Sequence, residues 1–148
     1  MELISFRKFV ESDKNEIVSM METFYSSDAV YTNGSSEIFC CDFDTCVSNS
    51  PFLDGYVFLI ENIIVGYAMI AHSFSTEFGK PCIWLEDLYL KENYRGKNIV
   101  PKFIEYIEKN NSNAILRLEV EEENSHAVHV YSKSGFSKLP YIEMKKEI

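Results

Sequence analysis

The sequence predicts a mixed α+β domain, with a central, mostly antiparallel mixed sheet of about six to seven strands flanked by about four helices. Three observations point there. Apolar residues recur with a period of two in several short runs, and at helical spacing in others. Three of the β-rich runs follow one another with no helix between them, which requires hairpin-type connections. No G-x-G-x-x-G turn follows a strand, which removes the doubly wound dinucleotide-binding alternative. The 148 residues suit one domain of common size, spanning 1–148, and no repeat, low-complexity tract or linker divides them.

The elements follow in order. Leu3 to Lys8 alternates apolar and polar and reads as a first strand. Ser12 is placed to cap a helix whose Ile17, Met20, Met21 and Phe24 fall on one face. Residues 26–35 read as loop. Ser36 begins a second helix carrying Phe39, Cys40, Phe43 and Val47, ended before Pro51. The runs Tyr56 to Glu61 and Ile64 to Ser75 form a hairpin across Glu61-Asn62. After a loop at 77–81, a third β-rich run covers Ile83 to Leu90. The basic turn Tyr94-Arg95-Gly96-Lys97-Asn98 leads into a helix with Val100, Phe103, Ile104 and Ile107 on one face. Leu116, Leu118 and Val120 alternate as a strand. A helix from about Asn124 ends at Gly135, a natural residue to follow a helix C-terminus. Phe136 to Lys146 is expected to close the chain as one or two short strands.

Composition narrows the function. Hydrophobic residues make up 46% and charged residues 25%, the balance of an ordinary globular protein. The longest apolar stretch, Tyr56 to Ala71, is broken by Glu61 and Asn62, so no membrane-spanning helix is expected. Met1 to Arg7 lacks a basic region followed by an apolar one, so no secretory signal is expected and the protein reads as cytoplasmic. Cys40, Cys41, Cys46 and Cys82 lack the spacing of a disulfide framework or a metal pair, which suits reduced thiols. The net charge of −9 argues against nucleic acid as a partner, because phosphate neutralisation by Lys and Arg supplies most of that affinity. His126 and His129 lie three apart on one helix but have no further ligands nearby in sequence, so they read as solvated and no metal is expected. Cys82 has no activating His beside it and reads as an inert thiol.

The strongest local signal is a strand followed by Arg95-Gly96-Lys97-Asn98-Ile99-Val100 and a helix. A helix N-terminus exposes unpaired N–H groups and the positive end of its dipole, so a tight turn feeding it can seat a pyrophosphate. Glycine lets backbone approach the phosphates, while Arg95 and Lys97 add charge. Taken alone, such a turn reads equally well as solvated surface. It is not a P-loop, since G-x-x-x-x-G-K-[ST] is absent.

Three stretches together resemble the GNAT superfamily of N-acetyltransferases. They are Trp84-Leu85-Glu86-Asp87-Leu88-Tyr89-Leu90, then Tyr94 to Val100, then Asn124-Ser125-His126-Ala127-Val128-His129-Val130-Tyr131-Ser132-Lys133-Ser134-Gly135-Phe136. The first two look like that family's acetyl-CoA motif, R/Q-x-x-G-x-G/A after a strand, and the third like N-x-x-A-x-x-x-Y-x-x-x-G-F. The resemblance implies a V-shaped opening between the third and fourth long strands, where the pantetheine arm of acetyl-CoA inserts. Backbone near Leu88 and Leu90 would pair with that arm as an added strand does. Arg95, Gly96, Lys97, Asn98, Ile99 and Val100 would take the pyrophosphate, and Asn124 would cap its helix and contact the arm. The chain departs from the motif at Asn98 and Val100, where the family keeps glycine or another small residue, and Pro101 lacks an N–H. Asparagine tolerates a left-handed conformation, so the turn is expected to survive. Val100 either crowds the phosphate or faces the core.

The resemblance further implies direct acetyl transfer to a primary amine of a small molecule or protein. Glu86 is the candidate base, read as sharing a strand face with Trp84 and Leu88 in apolar surroundings that raise its pKa. The strand Leu-Glu-Asp is similar to that of polyamine-type members, where the equivalent glutamate has that role. Tyr131, seven residues after Asn124 on the same helix face, is the candidate acid for the departing thiolate and also borders the cofactor. Asp28, Tyr31, Glu77 and Asp87 are candidates for recognising the amine. Each of these residues has a plain structural alternative: a satisfied carboxylate for Glu86 or Asp87, a core aromatic for Tyr131. A homodimer is a family-level expectation. The alternative function is a catalytically weak or inactive CoA-binding regulatory module, motivated by Asn98, Val100 and Pro101.

Overall fold

A computed structural model describes residues 3–148. Met1 and Glu2, where the stretch read against a secretory signal begins, lie outside the described residues. The elements run β1 (Ile4–Lys8), α1 (Lys14–Tyr25), α2 (Ser36–Val47), β2 (Leu53–Ile60), β3 (Ile63–Ser75), β4 (Lys80–Leu90), α3 (Ile99–Asn110), β5 (Ile115–Leu118) and α4 (Ser125–Lys133). The sheet order is β1-β2-β3-β4-β5. Every neighbouring pair is antiparallel except β4 and β5, which are parallel. The class is the mixed α+β fold expected, built on five strands rather than six or seven among the described residues.

The missing strand is the C-terminal one. Residues 136–148 form no ladder, and every side chain from Tyr141 to Ile148 is exposed. Pro140 cannot donate to a ladder, and β5 offers an edge of only four residues. The segment is tethered by side chains instead: the Tyr141 hydroxyl donates to Glu77 at 2.5 Å, and Lys138 bonds Glu122.

Other local expectations hold with small shifts. The β2–β3 hairpin turns on Glu61 (φ 49°) and Asn62 (φ 68°), the paired left-handed conformations of a tight hairpin turn. The first helix starts later than predicted. A 3₁₀ turn occupies residues 11–13, Ser12 caps nothing, and buried Asp13 accepts from Val10 N at 2.9 Å and from both Arg7 nitrogens at 2.8 and 3.2 Å. The second helix starts at Ser36 as expected, capped by Ser35, whose side chain accepts from Ile38 N at 3.2 Å.

The sheet carries a core on each face, as strand alternation requires. Phe58, Ala68, Ile70, Ile83 and Leu85 pack on one face against Ile99, Phe103, Ile104 and Ile107 of α3. Val57, Leu59, Tyr67 and Met69 pack on the other against Ile17, Met20 and Met21 of α1 and Phe39 and Phe43 of α2. No helix among the described residues is long and apolar enough to cross a membrane.

Candidate active site

Two irregularities of β4 create the site. First, β4 pairs with β5 only from Cys82↔Ile115 to Leu85↔Leu118. Beyond that rung the strands part, while β4 stays paired to β3 as far as Leu90. The edge of β4 from Glu86 to Leu90 therefore faces a fork rather than a strand. The last rung but one is clamped on its side chains, with the Arg117 guanidinium 4.6 Å from the Trp84 ring centre.

Second, the register against β3 slips between Met69↔Asp87 and Ile70↔Leu85, leaving Glu86 as an extra residue. A bulge of this kind re-aims side chains next to the break. Here it turns consecutive residues the same way. Glu86 and Asp87 both line a cavity of about 340 Å³ on the α1/α2 face, with Tyr25, Asp42, Thr45, Phe52, Leu53, Met69 and Ala71. The predicted common face for Glu86 and Leu88 is thereby broken, because Leu88 goes to the α3 side of the sheet.

The cavity lining contains three carboxylates and no Lys or Arg. Asp87 is only 4% exposed. Its Oδ1 accepts from the Tyr25 hydroxyl at 3.0 Å and its Oδ2 from the Tyr67 hydroxyl at 2.9 Å. Loss of hydration outweighs those two bonds and pushes Asp87 up to about 6. Glu86 remains open to solvent, yet loss of hydration around its carboxyl, with the negative charge of Glu143 and Asp42, raises its pKa. Asp42 is raised by burial. On the other arm of the fork Glu119 follows Leu118. A hydrogen bond shared with Glu143, helped by burial and by the charge of Glu143 and Glu86, pushes it up to about 7.

The basic turn lies beyond the same end of β4. Gly96 (φ 78°) and Asn98 (φ 62°, ψ 26°) are both left-handed, and Asn98 is the residue from which α3 starts. A left-handed residue beside a right-handed one, as Asn98 is beside the first helical residue Ile99, turns successive N–H groups to one side, a concavity suited to an anion. No atom lies within 4 Å of where a Gly96 Cβ would be, so the approach is open. The helical ladder begins with Lys102 N donating to Asn98 O, which leaves the amides of Ile99 and Val100 without intrahelical partners. The Ile99 side chain is buried, and Val100 packs against the α3-side core, so Val100 faces inward. Arg95 is oriented by its Nε, which donates to Leu90 O at 3.0 Å. That carbonyl is therefore already engaged, which limits what Leu90 can offer an added strand. Lys97 Nζ lies 5.4 Å from the Tyr94 ring centre.

The remaining predicted residues are placed as follows. Asn124 caps α4 by accepting from Ala127 N at 3.3 Å. Tyr131 sits on the α3 side of the sheet with Leu88, Val100 and Phe136, and burial raises its pKa. Leu88, Leu90, Ile99, Val100 and Tyr131 thus pack on the α3 side of the sheet and the carboxylates line the cavity on the other, while the Arg95 guanidinium lies 5.9 Å from the ring centre of Tyr89, which packs on the α1/α2 side. Tyr31 and Asp28 are exposed in the loop before α2, and Glu77 in the β3–β4 turn; none of the three lines the cavity, whereas Asp87 does. Sequence reasoning missed Asp42 and Tyr67. The pair Asp42 and Thr45, three apart and so on one face of the helix, was a usable signal for α2. Nothing in the sequence marks Tyr67 apart from the other aromatics of β3. Among the described residues no group of three or more His, Cys, Asp or Glu is placed to hold a metal ion.

Comparison with known proteins agrees with this arrangement. Residues 16–136 match the Acetyltransferase (GNAT) family. A thialysine N-epsilon-acetyltransferase of Bos taurus is 35% identical over 83 residues, which cover 54% of this chain and 48% of that protein. The chain thus spans about half the length of this curated relative. Among solved structures, a possible acetyltransferase from Clostridium difficile 630 superposes with a TM-score of 0.83 at 19% identity, covering 99% of both chains. An aminoglycoside N-acetyltransferase in complex with CoA superposes with a TM-score of 0.78 at 11% identity, covering 99% of this chain and 96% of the other. A family match over most of the chain, on a sheet that forks where the motifs lie, makes this protein a member of the GNAT acetyltransferase family.

Proposed function

We propose that the protein transfers the acetyl group of acetyl-CoA to a primary amine by direct attack within a ternary complex. The observation that carries this reading is the fork. It opens after Leu85↔Leu118, with the left-handed basic turn beyond the end of β4 and a carboxylate-lined cavity on the α1/α2 face of that strand. The groups present fit acetyl-CoA chemically. The free edge of β4 around Leu88 can add an extended amide chain, and the amides of Gly96 to Val100 with Arg95 and Lys97 suit a pyrophosphate. Val100 packs inward, so its bulk does not oppose a phosphate, and Pro101 costs one donor only. Asn124, at the head of α4, would contact the pantetheine arm.

Glu86 is the proposed proton acceptor for the amine. Its raised pKa moves it toward the working range of a general base, and its exposure lets it discharge to water. Tyr131 is the proposed donor to the departing thiolate. The acceptor is read as a small amine carrying positive charge, because the cavity presents carboxylates without a compensating cation. Asp87 would help hold it. Tyr31 and Glu77 stay as contacts for a larger acceptor reaching beyond the cavity. The amines in the relatives' names, thialysine and an aminoglycoside, are of this charged class.

The test is calorimetric titration with acetyl-CoA, with dephospho-CoA as control, followed by thiol-release assays with thialysine, spermidine and neamine. Micromolar binding with turnover of at least one amine is expected. Binding without turnover of any amine would favour a CoA-binding regulatory module, and no binding at millimolar acetyl-CoA would remove the reading altogether.

A further inference from the structure

We propose that Asp87, held between Tyr25 and Tyr67, is a second proton acceptor in the reaction, working beside Glu86 in the same cavity. The inference rests on the acetyl-transfer reading above and deepens it. Three features of the site carry it. The bulge delivers two consecutive carboxyls into one cavity, where a regular strand would send them to opposite faces. Asp87 is buried with no Lys or Arg bonded to it, and its bonds come from two neutral hydroxyls. Tyr25 also lines the cavity, so one of the groups that orient Asp87 borders the space the amine would fill.

The proton count of the reaction gives two carboxyls work. An alkylamine arrives as its ammonium form at neutral pH. Its nitrogen sheds one proton to expose the lone pair. It sheds a second after the C–N bond has formed and the nitrogen carries positive charge. The C–S bond then breaks, its electron pair goes to sulfur, and sulfur takes one proton from Tyr131. Glu86 and Asp87 receive one nitrogen proton each and discharge both to water, while Tyr131 recovers one from water. One proton is released per acetyl transferred. A single exposed glutamate would have to empty itself between the two steps; a buried neighbour avoids that wait.

The groups facing Asp87 come from four elements: Tyr25 of α1, Asp42 and Cys46 of α2, Tyr67 of β3 and Glu86 of β4 itself. Glu143 and Glu119 act on it only through Glu86. The neighbouring charges are negative, and they favour holding a proton on the site during the cycle. The two tyrosines favour its release, because both donate to the ionised form. Tyr67, fully buried, is a positioning residue in this scheme.

The plain alternative is that Asp87 only ties Tyr25 at the end of α1 to the sheet. The pH dependence of kcat separates the two, measured at saturating acetyl-CoA and whichever of thialysine, spermidine or neamine turns over fastest. With two acceptors that must both be ionised, the acid limb of log kcat gains one unit of limiting slope from each. Asp87→Asn is expected to lower that slope by one and to cut kcat by roughly 10²-fold. Tyr67→Phe keeps the carboxyl but removes a bond to its charged form, so the acid limb is expected to move up by about one pH unit with its slope intact. An Asp87→Asn enzyme whose acid limb keeps the wild-type slope would overturn the proposal. So would a Tyr67→Phe enzyme whose limb does not move, and this second variant decides the matter if Asp87→Asn fails to fold. Transfer by the wild-type enzyme with unaltered limbs in both variants rejects the second acceptor alone. Absence of transfer to all three amines rejects the acetyl-transfer reading and this one with it.

Discussion

Tyr131 carries the thiolate end of the proposed chemistry, and its surroundings set what it can do. Its ring meets Phe136 edge-on at 5.9 Å between centroids, within the apolar cluster on the α3 side of the sheet. Burial raises the hydroxyl pKa, so the group stays protonated across any working pH. An ordinary thiol titrates near 8.5, below a tyrosine, so donation to the departing sulfur runs uphill and is drawn only by the charge that builds on sulfur as the C–S bond breaks. Phenylalanine keeps the ring packing and deletes only the donor. Tyr131→Phe is therefore expected to leave the thermal midpoint nearly unchanged and to lower kcat by roughly 10²-fold, with little change in KM for acetyl-CoA. Steady-state kinetics beside a melting curve checks it, and an undiminished kcat would make Tyr131 a packing residue. At the neighbouring site, Glu86→Gln is expected to abolish part of the acid limb rather than affinity for acetyl-CoA, since Glu86 lines the cavity on the face of β4 opposite Leu88, Val100 and Tyr131.

At the scale of elements, the turn into α3 is where this chain departs most from its family pattern, and backbone geometry explains why the departure is tolerable. Asn98 adopts φ 62°, where a β-branched side chain would clash with its own backbone and asparagine fits. Asn98→Gly is expected to leave the dissociation constant for acetyl-CoA within about twofold, whereas Asn98→Val should raise it roughly tenfold, from about 1–2 kcal/mol of strain. Calorimetry on the two variants checks this, and equal affinities would detach the turn from the cofactor. That Asn98 is left-handed was legible in the sequence, because the residue types that reach this region are few. The β2–β3 hairpin was legible for the same reason, from Glu61-Asn62 between two apolar runs. The bulge at Glu86 was not. The stretch Leu85-Glu86-Asp87-Leu88 alternates no differently whether or not a residue is skipped, since a bulge is a property of register against β3 and not of β4 alone. The sequence consequently grouped Glu86 with Leu88, and it missed Tyr67, whose part in the site depends on long-range pairing. The C-terminal strand failed for a similar reason: Phe136 to Lys146 carries apolar residues, but a ladder needs a partner edge, and β5 is short.

Across the whole molecule, two acidic residues show opposite solutions to burial, and the contrast predicts how stability depends on pH. For Asp13, loss of hydration alone would raise the pKa, but the bonds from Arg7 and Val10 outweigh it and hold the carboxyl below its ordinary 3.8. Its contribution is present above that ordinary value and is lost only as pH falls through the depressed one. Asp87 has no cation and is raised instead, to about 6. The folded protein then binds a proton at Asp87 more tightly than the unfolded chain does between 3.8 and about 6. Stability from this group is full below that window and declines as pH rises through it, and above the window the loss is constant. A site kept for proton transfer thus lowers stability at neutral pH, which is the usual direction of a stability–activity trade-off. Asparagine at position 87 cannot ionise and so escapes the decline. The difference in thermal midpoint, Asp87→Asn minus wild type, is expected to grow from pH 4 to about pH 6 and then to level off, whatever its sign at pH 4. Scanning calorimetry across pH 4 to 8 measures it, and the subtraction cancels the general effect of the net charge of −9. A difference independent of pH would mean that Asp87 titrates as an ordinary carboxylate, and the two tyrosines would then be doing no more than anchoring α1 to the sheet.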